Sequence, residues 1–256
     1  MPRRSQPPVL GRNGQPISKS AAKLRLLKTL KCTTKFEKLA YTSGATLVAG
    51  VDEVGRGSLF GPVVAGAVIL DRNDRIRGLR DSKLLTAERR EVLAERIRER
   101  AIAWATAAVD VAQIDQINIY HATRLAMREA VSRLQPAPDH LLVDALTIDW
   151  PNDESRCAQT KIIHGDALSA SIAAASILAK VERDRLVTQW DPVFPVYRLA
   201  SNKGYYTRAH VRSLREHGPS PLHRQSFAPV WMSSLPEDVL ARMLQEAAMA
   251  EARDAD

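Results

Sequence analysis

The chain has 256 residues, 45% of them hydrophobic and 26% charged, with a formal net charge of +8. This is a globular composition with room for one large α/β domain, and it excludes a disordered tail or a fibre. Two cysteines, Cys32 and Cys157, cannot build a disulfide framework and lack C-x-x-C spacing, so they read as incidental thiols of a reducing compartment.

The charge is unevenly placed. Residues 1–45 carry ten Lys or Arg and a single acid, Glu37, while the remainder is close to neutral. Three readings of this leader stay open: a basic arm drawn to nucleic acid in a salt-dependent way, an inert solubilising extension, or a targeting leader. Residues 1–20 are rich in Pro, Gly, Ser and Arg and read as loop; residues 21–40 mix Leu with Lys and suit a short basic helix.

The body starts near Thr46. "TLVAGVDE" predicts a strand ending in two acids, and "PVVAGAVIL" predicts a second strand after the punctuation "GRGSLFG". A tight turn between them makes them neighbours in a sheet. In "LRDSKLLTAERREVLAERIRER", Leu93 and Ile97 share a helix face and Thr86 is placed to cap it. "AIAWATAAVDV" suits a third strand. "IDQINIYHATRLAMREAVSRL" predicts a long helix through Ile119, Ala122, Leu125, Ala126 and Val131, stopped by Pro136 and Pro138. "HLLVDAL" predicts a short buried strand with Asp144 at its carboxyl end. "KIIHGD" predicts another, ending at Asp166. The small, apolar first half of "SASIAAASILAKVERDRLVTQW" predicts a centrally packed helix. A loop from Ser201 to Thr207, a helix through His217, a Pro-rich stretch and a last helix over 236–249 complete the chain. Alternating strands and helices predict α/β layers, and the adjacent first strands predict a mixed sheet.

Four acids, Asp52, Glu53, Asp144 and Asp166, sit where apolar runs end. A buried carboxylate is costly unless it is paired or holds a cation, and several converging carboxylates repel one another. An all-oxygen ligand set suits Mg²⁺ or Mn²⁺ and phosphoryl transfer by two ions. The competing reading is that Asp52 and Glu53 open a turn while Asp166 caps a helix. Adjacent strand residues point to opposite faces, so Asp52 and Glu53 share a site only if the strand ends or bends there. Gly55-Arg56-Gly57 permits close backbone approach to a ligand but is a weak signal alone. P-loop and Rossmann glycine patterns are absent, as is a serine-nucleophile elbow.

Taken together, "GVDEVGRGSLFGPVVAGAVIL", "LRDSKLLTAERR", "IDQINIYHATRLAMREAV", "LLVDAL", "GDALSASIAAASILAKVERDR", "NKGYYTRAH" and "HGPSPLHRQSFAPV" resemble the type 2 ribonuclease H family, the bacterial ribonuclease HII group, over roughly residues 46–230. The resemblance implies a ribonuclease H-like mixed sheet flanked by helices, with a smaller helical C-terminal part. It divides the chain into a flexible basic extension (1–45), a catalytic domain (46–230) and a helical tail (231–256).

The resemblance further implies Mg²⁺- or Mn²⁺-dependent cleavage of RNA in RNA–DNA hybrids, especially 5′ to a ribonucleotide embedded in DNA, leaving 3′-hydroxyl and 5′-phosphate ends. By motif, Asp52, Glu53, Asp144 and Asp166 match the metal ligands. Gly55, Arg56 and Gly57 match the turn that reads the 2′-hydroxyl through backbone groups. Tyr205 matches the tyrosine on that hydroxyl, with Tyr206 as the alternative assignment. Ser82, Lys83 and Lys203 are expected phosphate contacts. Asp184 is expected to form an ion pair or to be a helix-surface charge, and His164 to pack. His223 matches a motif without a derivable role. Ala145 stands where the family often has glycine, which is expected to tighten space near Asp144. A cytoplasmic monomer without a membrane span is expected, and a replication clamp stays an open partner. Two rivals remain: a broader hybrid nuclease that is poor on single ribonucleotides, and a non-catalytic nucleic-acid-binding protein on the same fold.

Overall fold

The computed structural model describes residues 25–246 except residues 28, 151–156, 240 and 244. Residues 1–24 of the basic leader and the end of the expected last helix lie outside the described residues. Helix α1 (Lys35–Thr42) precedes β1 (Val48–Val54), β2 (Val63–Leu70), α2 (Ala87–Arg100), β3 (Ala101–Val109), α3 (Val111–Ser132), β4 (His140–Asp144) and β5 (Ala158–Ile162). Then come α4 (Gly165–Leu168), α5 (Ala170–Thr188), α6 (Leu199–Asn202), α7 (Arg208–His217) and α8 (Ala228–Trp231). Among the described residues, no helix is long and apolar enough to cross a membrane.

The five strands form one mixed sheet in the order β3-β2-β1-β4-β5. The first three are antiparallel neighbours, while β1, β4 and β5 run parallel. Strand alternation divides the core. Ala49, Val51, Ala65 and Ala67 face α3 with Ile114, Ala122 and Met127. Val68 faces the other way, onto Leu93 and Ile97 of α2 and Ala174, Ala175 and Leu178 of α5. The predicted Thr86 cap is present, its hydroxyl accepting from the Arg89 N–H. The long α3 is broken at Asn118, where φ is 63°, and its carboxamide oxygen accepts from the Tyr120 and His121 N–H groups.

Three expectations need correction. The basic leader is not loose up to residue 45. Thr33 exchanges backbone hydrogen bonds with Leu168 and Ala170, and the buried Glu37 accepts from Ser169 Oγ, Ser171 N and Ser171 Oγ. Its one acid is therefore a docking group that seats α1 on the start of α5. The strand predicted to reach Asp166 ends at Ile162. Ile163 is exposed and His164 takes a left-handed conformation (φ 59°), so the chain leaves the sheet and Asp166 lies in α4. The expected loop from Ser201 begins inside α6; the chain reverses only at Lys203 and Gly204, both at positive φ.

The C-terminal part has its own small core of Leu59, Phe60, Val187, Tyr197, Leu199, Leu214 and Val230. It is pinned to α3 by Asp115, which accepts from Gln225 N, Ser226 N and Ser226 Oγ. Hydrogen bonds to a charged group contribute about 1.5–3 kcal/mol. Asp115→Ala is therefore expected to lower unfolding stability by about 2 kcal/mol, read by urea denaturation. An unchanged midpoint would show that this anchor carries no stability.

Candidate active site

The site follows from register. β1 and β4 pair in parallel through Val51 and Val143, so the next residues, Asp52 and Asp144, stand side by side where the ladder ends. Asp52 has the parity of Val48 and Gly50, so it points to the α5 face. α4 lies on that face and brings Asp166 over the same strand ends. One carboxylate oxygen from each of Asp52, Asp144 and Asp166 lies within 4.8 Å of the others. Asp52 and Asp166 are each 3% exposed, so water screens this repulsion poorly.

Burial, reinforced by Glu53, Asp144 and Asp166, raises the Asp52 carboxyl well above the usual carboxylate range. Burial and the Asp166 charge raise Asp144, although the Gly165 N–H donates to it at 2.7 Å. Lys83 Nζ lies 2.8 Å from Asp166 and supplies a positive charge. Burial opposes that charge, but Asp166 outweighs it and holds the ammonium above its usual range. Three facing carboxylates and one lysine leave an excess of negative charge on hard oxygen donors, which fits a divalent cation.

Glu53 stands apart from this cluster. β1 continues regularly through Val54, so alternation turns Glu53 away from Asp52 and pairs it with Arg56, 3.5 Å distant. Burial lifts it to about 7 even with that partner, and Asp144 contributes. It occupies the rim of the site.

A second group of predicted residues surrounds the turn after β1. Gly55 has φ +98°, and a β-carbon there would meet the Arg183 side chain at 2.1 Å. A β-carbon at Gly57 would meet nothing within 4 Å, so this side of the turn is open. Ser58 and Tyr205 form an antiparallel bridge, which sets the tyrosine loop beside the glycine turn. The Tyr205 ring lies against Arg183 and Lys180, at 4.9 and 5.1 Å. Tyr206, the alternative, is 59% exposed and makes no such contact.

The expected phosphate contacts divide. Lys83 is exposed at the acidic cluster. Ser82 is buried, with its hydroxyl on Ser176 Oγ at 3.0 Å, so its side chain faces the core and not a phosphate. Lys203 Nζ is bound to Thr188 Oγ1 and the Ala200 carbonyl. Asp184 forms ion pairs with Lys180 at 2.7 Å and Arg90 at 3.8 Å, as expected. Ala145 takes a left-handed conformation, φ 54°, which β-carbons disfavour.

Sequence reasoning missed the two arginines that hold these loops. Arg183 and Arg224 are fully buried. Arg183 donates to the carbonyls of Phe60, Pro62 and Lys203 and to Ser58 Oγ. Arg224 donates to the carbonyls of Arg56 and Gly61. Burial lowers Arg183 and brings Arg224 down to about 9. Arg183 was hidden in the charged second half of α5, among Lys180, Glu182, Asp184 and Arg185, where one more charge reads as surface.

Comparison with known proteins agrees with this geometry. A family model described as Ribonuclease HII matches residues 49–230. Ribonuclease HII of Koribacter versatilis (strain Ellin345) is 67% identical over 248 residues, covering 97% of this chain and 96% of that protein. An Archaeoglobus fulgidus ribonuclease HII, solved in complex with PCNA, is 28% identical with a TM-score of 0.61, covering 74% of this chain and 97% of that one. The ribonuclease H2 of Pyrococcus horikoshii OT3 shares the fold, with a TM-score of 0.63 at 24% identity over 77% of this chain and 99% of that one. With the acidic cluster in place and the family model spanning most of the chain, this protein belongs to the ribonuclease HII family and is a nuclease.

Proposed function

We propose that the chain cuts the RNA strand of RNA–DNA duplexes, above all 5′ to a ribonucleotide embedded in DNA, leaving 3′-hydroxyl and 5′-phosphate ends. The observation that carries this reading is the cluster of Asp52, Asp144 and Asp166 at the strand ends, all within the residues that the family model matches. Mg²⁺ or Mn²⁺ is the proposed ion, because every donor in the cluster is a carboxylate oxygen. Divalent ions held there would supply a lowered pKa to an attacking water and charge stabilisation to a leaving oxygen. Asp52, Asp144 and Asp166 would hold them, with Glu53 joining from the rim. Lys83 Nζ donates to Asp166 Oδ2 and holds that side chain in place.

The ribose reader is proposed to be Gly55, Arg56 and Gly57 through their backbone, with Tyr205 through its phenol. A 2′-hydroxyl both donates and accepts, which suits backbone groups beside a phenol. Lys83 and Lys203 are the proposed phosphate contacts; Lys203 would have to release its present partners. We also propose a monomer and a cytoplasmic location, the latter supported by two free thiols. A sliding clamp is a candidate partner by analogy with the Archaeoglobus protein; calorimetric titration of the full chain with a clamp tests it.

The decisive assay follows an end-labelled DNA duplex carrying one ribonucleotide, with Mg²⁺ or Mn²⁺, beside all-DNA and long-hybrid controls. One metal-dependent cut 5′ to the ribonucleotide, with all-DNA intact, is expected. Cutting of the long hybrid alone would overturn the junction reading; binding without cutting would overturn catalysis. Tyr205→Ala is expected to slow single-ribonucleotide cutting by about tenfold or more while sparing the long hybrid, since about 1.4 kcal/mol of recognition is removed.

A further inference from the structure

The loop that carries Tyr205 rests on a pair of fully buried histidines, His210 and His223. His210 Nδ1 lies 3.0 Å from the Tyr205 carbonyl oxygen. His210 Nε2 lies 3.0 Å from His223 Nε2. His223 Nδ1 lies 3.0 Å from Ser220 N and 2.9 Å from Ser220 Oγ. Every ring nitrogen of the pair is thus engaged.

The two ends of this row determine where its protons sit. The Tyr205 carbonyl can only accept, so His210 Nδ1 carries a hydrogen. The Ser220 N–H can only donate, so His223 Nδ1 is bare. A neutral His223 then carries its hydrogen on Nε2 and donates it to the bare Nε2 of His210. A second proton on either ring would set two N–H groups head to head, somewhere along the row.

The surroundings also oppose charge. Burial is the first cause acting on both rings, and the buried guanidinium groups of Arg183 and Arg224 are taken up by loop carbonyls. Tyr197 and Phe60 pack edge-on against His223, with ring centroids 4.5 and 5.0 Å away. Burial, together with His210, brings His223 down to about 3; burial also lowers His210.

We propose that His210 and His223 form a proton-ordered neutral relay that positions Tyr205, and so determine selectivity for ribose. This rests on the reading of Tyr205 as the ribose-facing phenol. It gives His223 the role that its motif alone withholds. It also couples three chain segments: α7, the Pro-rich stretch and the loop across from the glycine turn. The backbone bridge between Phe60 and His223 carries the same row back to the β1–β2 connection.

The test begins with the wild-type, metal-free full chain. Imidazole ¹⁵N spectra are expected to show His210 protonated on Nδ1 and His223 on Nε2, with a scalar coupling between the two Nε2 atoms, unchanged from pH 8 to about pH 5. A proton on His223 Nδ1, or charging of either ring near pH 6.5, would overturn the relay.

Variants then test its consequence under single-turnover conditions. His210→Leu is expected to slow single-ribonucleotide cutting about tenfold and long-hybrid cutting by less than about threefold, the effect of one lost hydrogen bond. His210→Asn keeps a donor at the Nδ1 position and is expected to restore most of the loss. Equal losses on both substrates, beside a selective Tyr205→Phe, would overturn the positioning role. A Tyr205→Phe variant without selectivity would overturn the premise instead, and intact tautomers would mark that failure as belonging to Tyr205.

Discussion

Asp52→Asn is expected to lose at least about a thousandfold in turnover and, in EDTA, to melt at a higher temperature than the wild type. The two effects share one cause. Asp52 is buried against Asp144 and Asp166, and this crowding is useful only with cations present. Without them, removing one charge relieves repulsion, while the asparagine oxygen can still accept from the Glu53 N–H as Asp52 does at 2.8 Å. The sign in pH follows. A carboxyl raised on folding makes the folded state bind more protons than the unfolded state, so stability is lost as pH rises. For Glu53 that window runs from 4.5 to about 7; for Asp52 it opens at 3.8 and extends well upward. The stability advantage of the variant should therefore widen from pH 4 to pH 8 and reverse when Mn²⁺ or Mg²⁺ is added, because a ligand bound to the native state stabilises it. Thermal unfolding with and without EDTA reads this. A variant that melts lower in EDTA, or that still cuts, would remove Asp52 from the site.

Much of this site could be read from the chain. An acid that ends an apolar strand run stands out, and Asp52 and Asp144 were visible for that reason. The alternation rule also posed the right question about Glu53: β1 runs on to Val54, and Glu53 stands beside the cluster of Asp52, Asp144 and Asp166, close enough for its charge to act on Asp52. Other parts were hidden for physical reasons. Glu37 reads as one more solvated charge in a basic leader; only the hydroxyls of Ser169 and Ser171, far along the chain, make it a buried anchor. Asp166 reads as a strand end because Ile162 and Ile163 are both apolar and β-branched, whereas the exposed Ile163 belongs to the exit from the sheet. Arg183 and Arg224 carry charge and so default to the surface in any pattern reading, yet loop carbonyls satisfy most of their donors inside.

Gly50→Ala is expected to cost about 3 kcal/mol or more, far beyond what one methyl group suggests. α5 crosses β1 so closely that a β-carbon at Gly50 would lie 2.1 Å from the Ser171 carbonyl carbon and 2.3 Å from Ile172 N. Those atoms are backbone, so no rotamer change relieves the clash and the helix must shift. Gly66 meets the same helix at the Ala175 carbonyl, 2.4 Å away. The run of alanines in α5 and the two glycines in the sheet are therefore one packing device. A loss of about 3 kcal/mol corresponds to roughly 6–12 °C in melting temperature for a chain of this size. Gly57→Ala, with open space at its β-carbon, is the control and should leave stability within about 0.5 kcal/mol. Equal melting temperatures for Gly50→Ala and wild type would refute the close contact. Because Asp166 and α4 lead directly into α5, the shift in Gly50→Ala should also misplace that carboxylate.

The parallel pairing of β1 with β4 has a consequence for how the protein is made. All of β2, α2, β3 and α3 lies between Asp52 and Asp144 in the chain. Closing that long loop is entropically unfavourable, and strand pairings of this kind form slowly. The antiparallel β1–β2–β3 meander and its helices are local by comparison and can form first. A half-made or half-folded chain thus carries its basic leader before it carries a complete set of carboxylates. Cutting becomes available only when the last part of the sheet has closed and Asp144 and Asp166 have joined Asp52.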